Sequence, residues 1–455
     1  MRLNSRTKEV FDVNVLDNGA VESFLKTCAD IYGGNPFWID DANHIKTVNF
    51  AKTICGEAAR LATLDISVKA DGSARAEWLQ KQLDDMCGNL RHWTEYAAGF
   101  GTIILKPNGE DVDIVTPDRF RPTETKGSKI TGAVFYDSAY DGEKDKWYTR
   151  LEYHRFVGDK YVITNKCFIG NHKNDDGKPI DISATPWSEL AEEVTAQNVE
   201  RPLFGVFRMP NANNIDVQSP YALPIYAEAI EELRDLDVAY SRNVLEIEQS
   251  KRTVLLDSDR LMASGGRIST QNGAALLKSK GLPDFVKTIE GTGNGDIYHE
   301  INPSLNTQTR VTGIDNLLSQ IGFKCGFSNG YFVFNQKTGM VTATQVEADD
   351  RRTIQLVKDI RDQLQNCVED VVYALNKFAD AYKLAPNGKC NIAYDFGDVT
   401  YNREEDRIRW WGYVATGQVP AWRYFVKFEG MTEDEAKAMI EEAQPKELLD
   451  LLEAQ

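Results

Sequence analysis

The chain has 455 residues, of which 42% are hydrophobic and 27% charged, and this is the composition of a globular protein rather than a disordered or fibrous one. At about 100–200 residues per domain, the length predicts two to four folding units. The formal net charge of −17 at first argues against a nucleic-acid partner, because DNA-binding proteins usually carry basic patches.

The N-terminal segment Met1–Asp12 is polar and lacks the apolar centre of a signal peptide. No apolar run approaches the roughly 20 residues that cross a bilayer. The 7 cysteines are scattered and form no C-x-x-C pair. Cys167 and His172 lie close in sequence, but two ligands do not make a zinc site. We therefore expect a protein made in a cytoplasm, with buried free thiols, no metal and no cofactor.

The first 98 residues are predicted to be mainly helical, because apolar residues recur at three-to-four spacing over Val21–Ile31, Thr47–Leu64 and Ala76–Ala98. Residues 99–210 change to short segments separated by Gly, Asp and Lys clusters. Strands are predicted at Gly99–Leu105, Asp113–Val115, Ile130–Tyr136, Thr149–Arg155 and Tyr161–Thr164. Helices followed by antiparallel hairpins indicate an α+β fold.

A long acidic helix is predicted from Ser219-Pro220 to Ser250. Serine is a good N-cap and proline suits the first turn, and apolar residues recur at helical spacing from Ile225 to Ile247. At 1.5 Å per residue this helix would span roughly 45 Å. Between residues 225 and 250 there are seven acids and two bases, a net charge of −5.

Residues 251–303 are predicted to form a compact insertion with strands at Thr253–Leu256, Phe285–Ile289 and Ile297–Ile301. A second helix is predicted from Ser304 to about Gly326. A Gly-bounded loop, Asn329 to Met340, follows it.

A third long helix is predicted to begin at Thr342 or Thr344 and to run to about Lys383, before the Pro386-Asn387-Gly388 terminator. The remaining residues are predicted to form one strand, Asn391–Phe396, and then helices. Thr432–Glu435 has the pattern of a capping box that opens the last helix.

The sequence contains no recognisable active site. Gly291–Gly295 is glycine-rich but lacks the strand–loop–helix context and the following Lys-Ser/Thr of a phosphate loop, so we interpret it as a flexible turn. A G-x-S-x-G elbow and an H-E-x-x-H motif are both absent. Glu347, Asp349 and Asp350 suit the dipole of a helix N-terminus better than a metal site. We predict no catalytic residues and no enzymatic activity.

Three groups of local sequences carry a family resemblance. The first is Gly99–Lys106 with Val115–Thr123 and Gly132–Phe135, and the second is Thr342–Val346 at the start of a helix through Asn376. The third comprises Asp398, Asn402–Asp406, Val414–Gly417 and Gly430–Ala436. Their order resembles the portal proteins of tailed bacteriophages, in the branch of long-tailed phages of Gram-positive hosts. Gln345 departs from the family, where this position is often acidic.

The resemblance implies a portal fold. Its parts would be an α/β wing (1–218), a first stem helix (219–250), a small α/β clip (251–303) and a second stem helix (304–328) antiparallel to the first. A tunnel loop (329–342), a long spanning helix (343–383) and a C-terminal wing and crown region (384–455) would follow.

The resemblance also implies a function. A ring of about twelve subunits would form a DNA channel at one capsid vertex of the virion, after assembly in the bacterial cytoplasm. It would dock the terminase large subunit during packaging and then a head-completion or adaptor protein of the head-tail connector, and it would conduct double-stranded DNA during ejection. The major capsid and scaffolding proteins are further implied partners, and a membrane is not.

The predicted site has three parts. Stem carboxylates would line the channel and repel phosphates, so that the duplex slides instead of being held; they are Glu228, Glu231, Glu232, Asp235 and Asp237. The alternative is an ordinary solvated helix face. Tunnel-loop contacts with DNA are predicted for Asn335, Gln336, Lys337, Thr338 and Gly339, with Lys337 meeting phosphates and with Phe332 and Phe334 anchoring the loop base. In the clip, Lys278, Lys280 and Lys287 would contact DNA or an acidic partner surface.

Two other functions remain open. One is a different virion structural protein, such as a minor head protein, which does not need the helix–insertion–helix unit of a tube wall. The other is a nucleic-acid-processing enzyme, which if metal-dependent would need converging carboxylates.

Overall fold

The structure is a computed structural model that describes residues 2–16, 18–64, 66–108, 111–173, 177–250, 253–257, 286–289, 298–301, 306–333, 343–395, 403–429 and 431–443. The chain divides into two compact units, Met1–Asp395 and Phe396–Gln455. Helices and antiparallel sheets are both present, so the α+β class is confirmed. No helix of the described part is long and apolar enough to cross a membrane.

The N-terminal part of the first unit is helical, as predicted. Its helices are α1 (Arg2–Phe11), α2 (Gly19–Tyr32), α3 (Phe50–Ala62) and α4 (Ala74–Phe100). Side-chain caps explain two of the starts, because Asn18 accepts a hydrogen bond from Ala20 N and Ser73 accepts one from Ala76 N. Helix α4 ends at Gly101, whose φ of +79° favours glycine.

The middle of the first unit forms two antiparallel sheets. Their strands are β2 (Thr102–Asn108), β3 (Asp111–Val115), β4 (Phe120–Lys126), β5 (Lys129–Asp141), β6 (Lys146–Val157), β7 (Lys160–Gly170), β8 (Lys178–Ile180), β9 (Glu193–Ala196) and β10 (Gly205–Arg208). The smaller sheet has the order β10-β2-β3, and the larger has the order β4-β5-β6-β7-β8 with β9 pairing on β7. The predicted hairpins are therefore present, but they are divided between two sheets.

The long acidic helix begins later than predicted. A 3₁₀ turn, Ala227–Ala229, leads into α5 (Ile230–Gln249), so the predicted start at Pro220 is wrong by ten residues. Residues 221–226 are buried against the N-terminal helices and the smaller sheet: Ala222 N donates to Thr102 Oγ1 at 2.8 Å, and Ile225 N donates to Ala98 O at 3.0 Å. Pro224 also disfavours a helical conformation at the residue before it. Tertiary hydrogen bonds thus replace the first helical turns.

The insertion contains the three predicted strands, β11 (Thr253–Asp257), β12 (Val286–Ile289) and β13 (Tyr298–Ile301). Strand β11 lies in the middle, parallel to β12 and antiparallel to β13. Helix α6 (Thr307–Lys324) follows the insertion.

Helix α7 (Ala343–Tyr382) has 40 residues and contributes much of the core of the first unit. The predicted apolar stripe is buried at Val357, Ile360, Leu364, Val368, Val371 and Leu375. Strand β14 (Asn391–Asp395) then pairs with β1 (Ser67–Asp71). The predicted C-terminal region 384–455 is consequently divided, because its strand belongs to the first unit.

The second unit contains α8 (Arg403–Ala415), α9 (Ala421–Glu429) and α10 (Glu433–Ala443). The predicted capping box is confirmed: Thr432 N donates to Glu435 Oε2 at 3.0 Å, and Glu435 N donates to Thr432 Oγ1 at 3.4 Å. The seven cysteines are free. Five of them are buried, as predicted, whereas Cys87 and Cys390 are partly exposed.

Candidate functional site

Helices α5 and α6 form an antiparallel hairpin, as predicted for the stem. Near the base of the hairpin, Lys324 Nζ lies 2.6 Å from Glu232 Oε1 and also donates to the carbonyl oxygen of Glu228 at 3.0 Å. Fourteen residues farther along α5, Glu246 forms an ion pair with Arg310, which lies fourteen residues earlier in the chain than Lys324. The residue numbers rise on one helix and fall on the other, so the two chains run in opposite directions.

Asp237 does not belong to an exposed acidic face, which corrects its assignment to the channel lining. The side chain is buried, and its carboxylate accepts hydrogen bonds from Trp38 Nε1 at 2.8 Å and from Val48 N at 2.9 Å. One turn later, Ser241 Oγ accepts from Lys46 N at 3.0 Å. These bonds attach the segment 38–48 to α5. A buried carboxylate with two donors is a structural acceptor rather than a surface charge.

The exposed charge of the predicted first stem helix is smaller than its sequence suggests. Of the seven acids between residues 225 and 250, Asp237 is buried, and Glu232 and Glu246 are paired with α6. Four acids remain against two bases, a net of −2 instead of −5; they are Glu228, Glu231, Asp235 and Glu248, with Arg234 and Arg242. The side chains of Glu231 and Asp235 are 69% and 55% exposed, and Arg234 contacts both.

An apolar stripe on the distal half of α5 has no cover within the described part of the chain. Tyr240, Val244 and Ile247 recur at i, i+4 and i+7, and they are 45%, 36% and 50% exposed. The same side of the helix is covered at its base, where Leu233 is buried. An uncovered stripe at helix-packing spacing is typical of a surface that contacts another protein.

The segment after α6 is fixed to two other helices. Phe332 stacks edge-on against Phe50 of α3, with ring centroids 5.3 Å apart, and lies 4.9 Å from Phe327. Ser328 and Thr353 of α7 exchange hydrogen bonds, including Ser328 N to Thr353 Oγ1 at 2.9 Å. Phe332 is therefore held between two aromatic neighbours, and its role in anchoring the tunnel loop stays a prediction. Phe334 lies outside the described residues.

Tyr331 adds a polar contact to this anchor. Its hydroxyl bonds to Glu57, which also pairs with Arg60 at 2.6 Å. Partial burial and the bond to Glu57 raise the pKa of Tyr331 to about 12, so the hydroxyl stays protonated and donates.

The remaining predicted contacts fall almost wholly outside the described residues. This applies to Asn335, Gln336, Lys337, Thr338 and Gly339 of the loop, and to Lys278 and Lys280 of the insertion. Lys287 lies on β12, where its backbone is opposite Leu255 of β11. The predicted DNA contacts of the loop and of the insertion therefore stay predictions.

The larger sheet contains a buried polar network that the sequence patterns did not predict. His154 Nε2 lies 2.7 Å from Glu152 Oε1 and its Nδ1 lies 3.0 Å from Tyr161 Oη, while Lys106 Nζ lies 2.6 Å from Glu152 Oε2. Arg150 also reaches Glu152, at 2.9 Å. The alternation Arg150-x-Glu152-x-His154 places these side chains on one face of a strand, and this was the available signal.

This network resembles an acid–base pair only in its residue types. His154 and Tyr161 are almost completely buried and Glu152 nearly so. Although burial alone would raise it, the charges of Lys106 and Arg150 and the hydrogen bond from His154 hold the pKa of Glu152 well below its usual range. Burial lowers the pKa of His154, so the imidazole is neutral. The cluster stabilises the sheet and offers no open face to a substrate.

Within the described ranges, no three His, Cys, Asp or Glu side chains are grouped so that they could hold a metal ion. No protein-family model matches the chain, and no curated protein shows significant sequence similarity to it.

Proposed function

We propose that the chain is a portal protein of a tailed bacteriophage, which forms a ring around a DNA channel at one vertex of the capsid. The observation that carries the proposal is the antiparallel α5–α6 hairpin, which holds a three-stranded insertion between its helices and bears an apolar stripe that the described residues leave partly exposed. A hairpin of this kind, repeated around an axis, makes a tube wall with a small sheet at its end.

The apolar stripe supports a ring. Tyr240, Val244 and Ile247 lie on a single helix face and would be covered by the hairpin of a neighbouring copy. A contact between two different surfaces of identical subunits closes into a ring when the rotation between them is suitable, and the family resemblance points to about twelve copies. The proposed partners of the ring are the capsid and scaffolding proteins around it.

The remaining exposed carboxylates support a channel that does not retain DNA. Glu228 lies in the 3₁₀ turn before α5 and Glu231 and Asp235 lie at its base, and each copy of the chain would present them again around the axis. Negative groups facing a duplex release no counterions from its phosphates, so they supply no electrostatic affinity that would stop its movement. The loop beyond Phe332 would make the closer contacts with DNA, with Lys337 meeting phosphates.

The insertion between the hairpin helices would dock the packaging motor, through its terminase large subunit, and later the adaptor protein that joins head to tail. Its described strands form one small sheet, β12-β11-β13, in the connection between the two helices. The proposed mechanism assigns no catalytic group to the chain, because the energy for packaging comes from the motor.

The test is the mass and shape of the purified chain. Light scattering coupled to size exclusion should give a mass near twelve times 51.2 kDa, and negative-stain images should show rings with a central hole. A monomer or dimer at every protein and salt concentration would overturn the proposal. A large closed shell without a channel would instead indicate another virion structural protein.

A further inference from the structure

A cavity of about 570 Å³ lies in the first unit between α2, the end of α4 and the turn that joins β3 to β4. Sites that bind small organic molecules have volumes of roughly 300–1,000 Å³ and are lined mainly by apolar and aromatic side chains. The apolar lining of this cavity consists of Leu25 and Ala29 of α2, Phe100 at the end of α4, Pro117 of the turn, and Tyr221. The proposed function uses none of these residues.

Aromatic contacts hold the walls of the cavity in place. The ring of Phe100 packs against that of Tyr32, with centroids 5.5 Å apart. Tyr221 is only 2% exposed, and its ring centroid lies 5.5 Å from that of Phe120. Its hydroxyl also donates to the carbonyl oxygen of Phe120 at 3.3 Å. A cavity whose walls are fixed before a ligand arrives loses little conformational entropy on binding.

An ion pair in the lining joins the segment 116–121 to α2. Arg121 pairs with Glu22 at 3.1 Å, and the arginine side chain is only 5% exposed. The same guanidinium donates to the carbonyl oxygens of Pro117 at 2.6 Å and of Phe120 at 2.8 Å. The charges of Arg121 and Glu22 compensate each other, so the charge that acts on a ligand comes from the other lining residues.

The remaining charge at the opening of the cavity is negative. Asp30 and Asp118 line the cavity and are exposed, and neither forms an ion pair with any residue that the structure describes. Asp118 accepts a hydrogen bond from Thr116 Oγ1, which does not neutralise its charge. Among the described lining residues, Lys26 alone carries a positive charge outside the Arg121 pair. Two carboxylates against one ammonium favour a ligand with a positive group.

We propose that this cavity binds a small organic cation, in which an aromatic or aliphatic body carries a primary ammonium group. The body would fill the space beside Leu25, Phe100 and Tyr221, where burial of apolar area supplies affinity. The ammonium would face Asp30 and Asp118 at the opening and donate charge-assisted hydrogen bonds to them. The inference needs neither a ring nor a DNA channel, so it goes beyond the proposed function and does not depend on it.

The experiment compares two ligands with the same ring and the same linker, tryptamine as the cation and indole-3-propionate as the anion. Ligand-observed NMR titrations with the full chain at neutral pH give the dissociation constants. Tryptamine should bind with a dissociation constant below about 1 mM, and at least about tenfold more tightly than indole-3-propionate. D30N/D118N removes both charges with little change of shape and should weaken tryptamine binding about fivefold or more, without weakening binding of the anion.

Two further variants separate charge from shape. D85N/D159N makes the same change in net charge at exposed positions outside the cavity and should bind tryptamine within about twofold of the parent. A29F places a ring in the cavity from a partly exposed position of α2 and should abolish binding of both ligands, whatever their charge. Circular dichroism and light scattering on the same samples report folding and assembly, so a failure to form rings is distinguished from a failure to bind the ligand.

Four results would overturn the inference. They are a folded parent chain that does not bind tryptamine, equal affinity of D30N/D118N and the parent for tryptamine, tryptamine binding that persists in folded A29F, and indole-3-propionate binding as tight as that of tryptamine. The last result would assign the cavity to organic ligands without regard to a positive group.

Discussion

At the scale of single residues, Glu152 and His154 show how buried polar groups are accommodated in the larger sheet. Leu203 N donates to Tyr161 Oη at 3.2 Å, and the hydroxyl can then donate to His154 Nδ1. The imidazole consequently carries its proton on Nε2 and donates it to Glu152. Each polar atom of the imidazole and the hydroxyl thus has a partner, which removes the main cost of burying them.

This arrangement predicts a loss of stability in mild acid. Because burial lowers the pKa of His154, the unfolded chain binds a proton more readily than the folded one as the pH falls. The stability that the neutral imidazole contributes is fully present above the ordinary pKa of histidine, near 6.5, and is lost as the pH falls below it. The free energy of unfolding in urea should fall between pH 7 and pH 5, and H154Q should show a weaker dependence.

The exposed His172 gives the control for this measurement, since H172Q should keep the pH dependence of the parent. An unchanged slope in H154Q would mean that the buried imidazole does not control stability in this range. Glu152 affects stability in a different pH range. Because its pKa is lowered in the folded chain, the stability that it contributes is lost only when the pH falls below the ordinary pKa of a glutamate, which is more acidic than the histidine range.

At the scale of secondary-structure elements, α5 has two different environments along its length. Its base is covered by the segment 38–48, which is bonded to Asp237 and Ser241. Its distal half presents Tyr240, Val244 and Ile247 with no cover from the described residues. The uncovered half is the part of the hairpin that a neighbouring copy would contact in the proposed ring.

Substitution of the stripe should therefore prevent assembly without unfolding the chain. In V244D/I247D, two carboxylates would be buried in the subunit contact, where each lacks a partner. The concentration needed for assembly should rise at least about tenfold, which corresponds to about 1.4 kcal/mol. Light scattering over a dilution series measures this, and circular dichroism reports the fold.

The acidic face of α5 provides the matched comparison. E231Q/D235N changes two exposed residues of the same helix without placing charge in the stripe, and assembly should persist. Normal rings in V244D/I247D would exclude the stripe from the subunit contact.

At the scale of the whole molecule, net charge opposes association. Each copy has a net charge of −17, and a ring would bring the α5 carboxylates of neighbouring copies close to each other. Exposed like charges repel over a distance set by salt, which is about 30 Å at 0.01 M and about 10 Å at 0.1 M. Apolar contacts of the stripe do not weaken over this range.

Assembly should consequently become stronger when NaCl is raised from about 0.01 M to about 0.1 M. E231Q/D235N should show a smaller salt effect than the parent, because it removes two charges per copy from the proposed channel. D85N/D159N removes two exposed charges elsewhere and should behave more like the parent. Light scattering measures the mass of the assembly at each salt concentration. Equal salt effects in the two variants would argue against a channel lined by α5.

The sequence by itself determined the local elements. Apolar spacing predicted α2, α3, α4 and α7, and short apolar segments bounded by turn residues predicted β5, β6 and β7 of the larger sheet and the strands of the insertion. The capping box at Thr432–Glu435 was also readable, because its two hydrogen bonds involve residues three apart. These features depend on contacts within one or two turns of chain.

Only the tertiary structure decided which polar groups are exposed and where α5 begins. Asp237 is buried because Trp38, 199 residues earlier, donates to it, and α5 starts at Ile230 because residues 221–226 bond to Ala98 and Thr102. The pairing of β1 with β14 likewise joins distant parts of the chain. A charge pattern in sequence does not reveal its partners, so the exposed charge of the stem helix, unlike its helicity, required the folded chain.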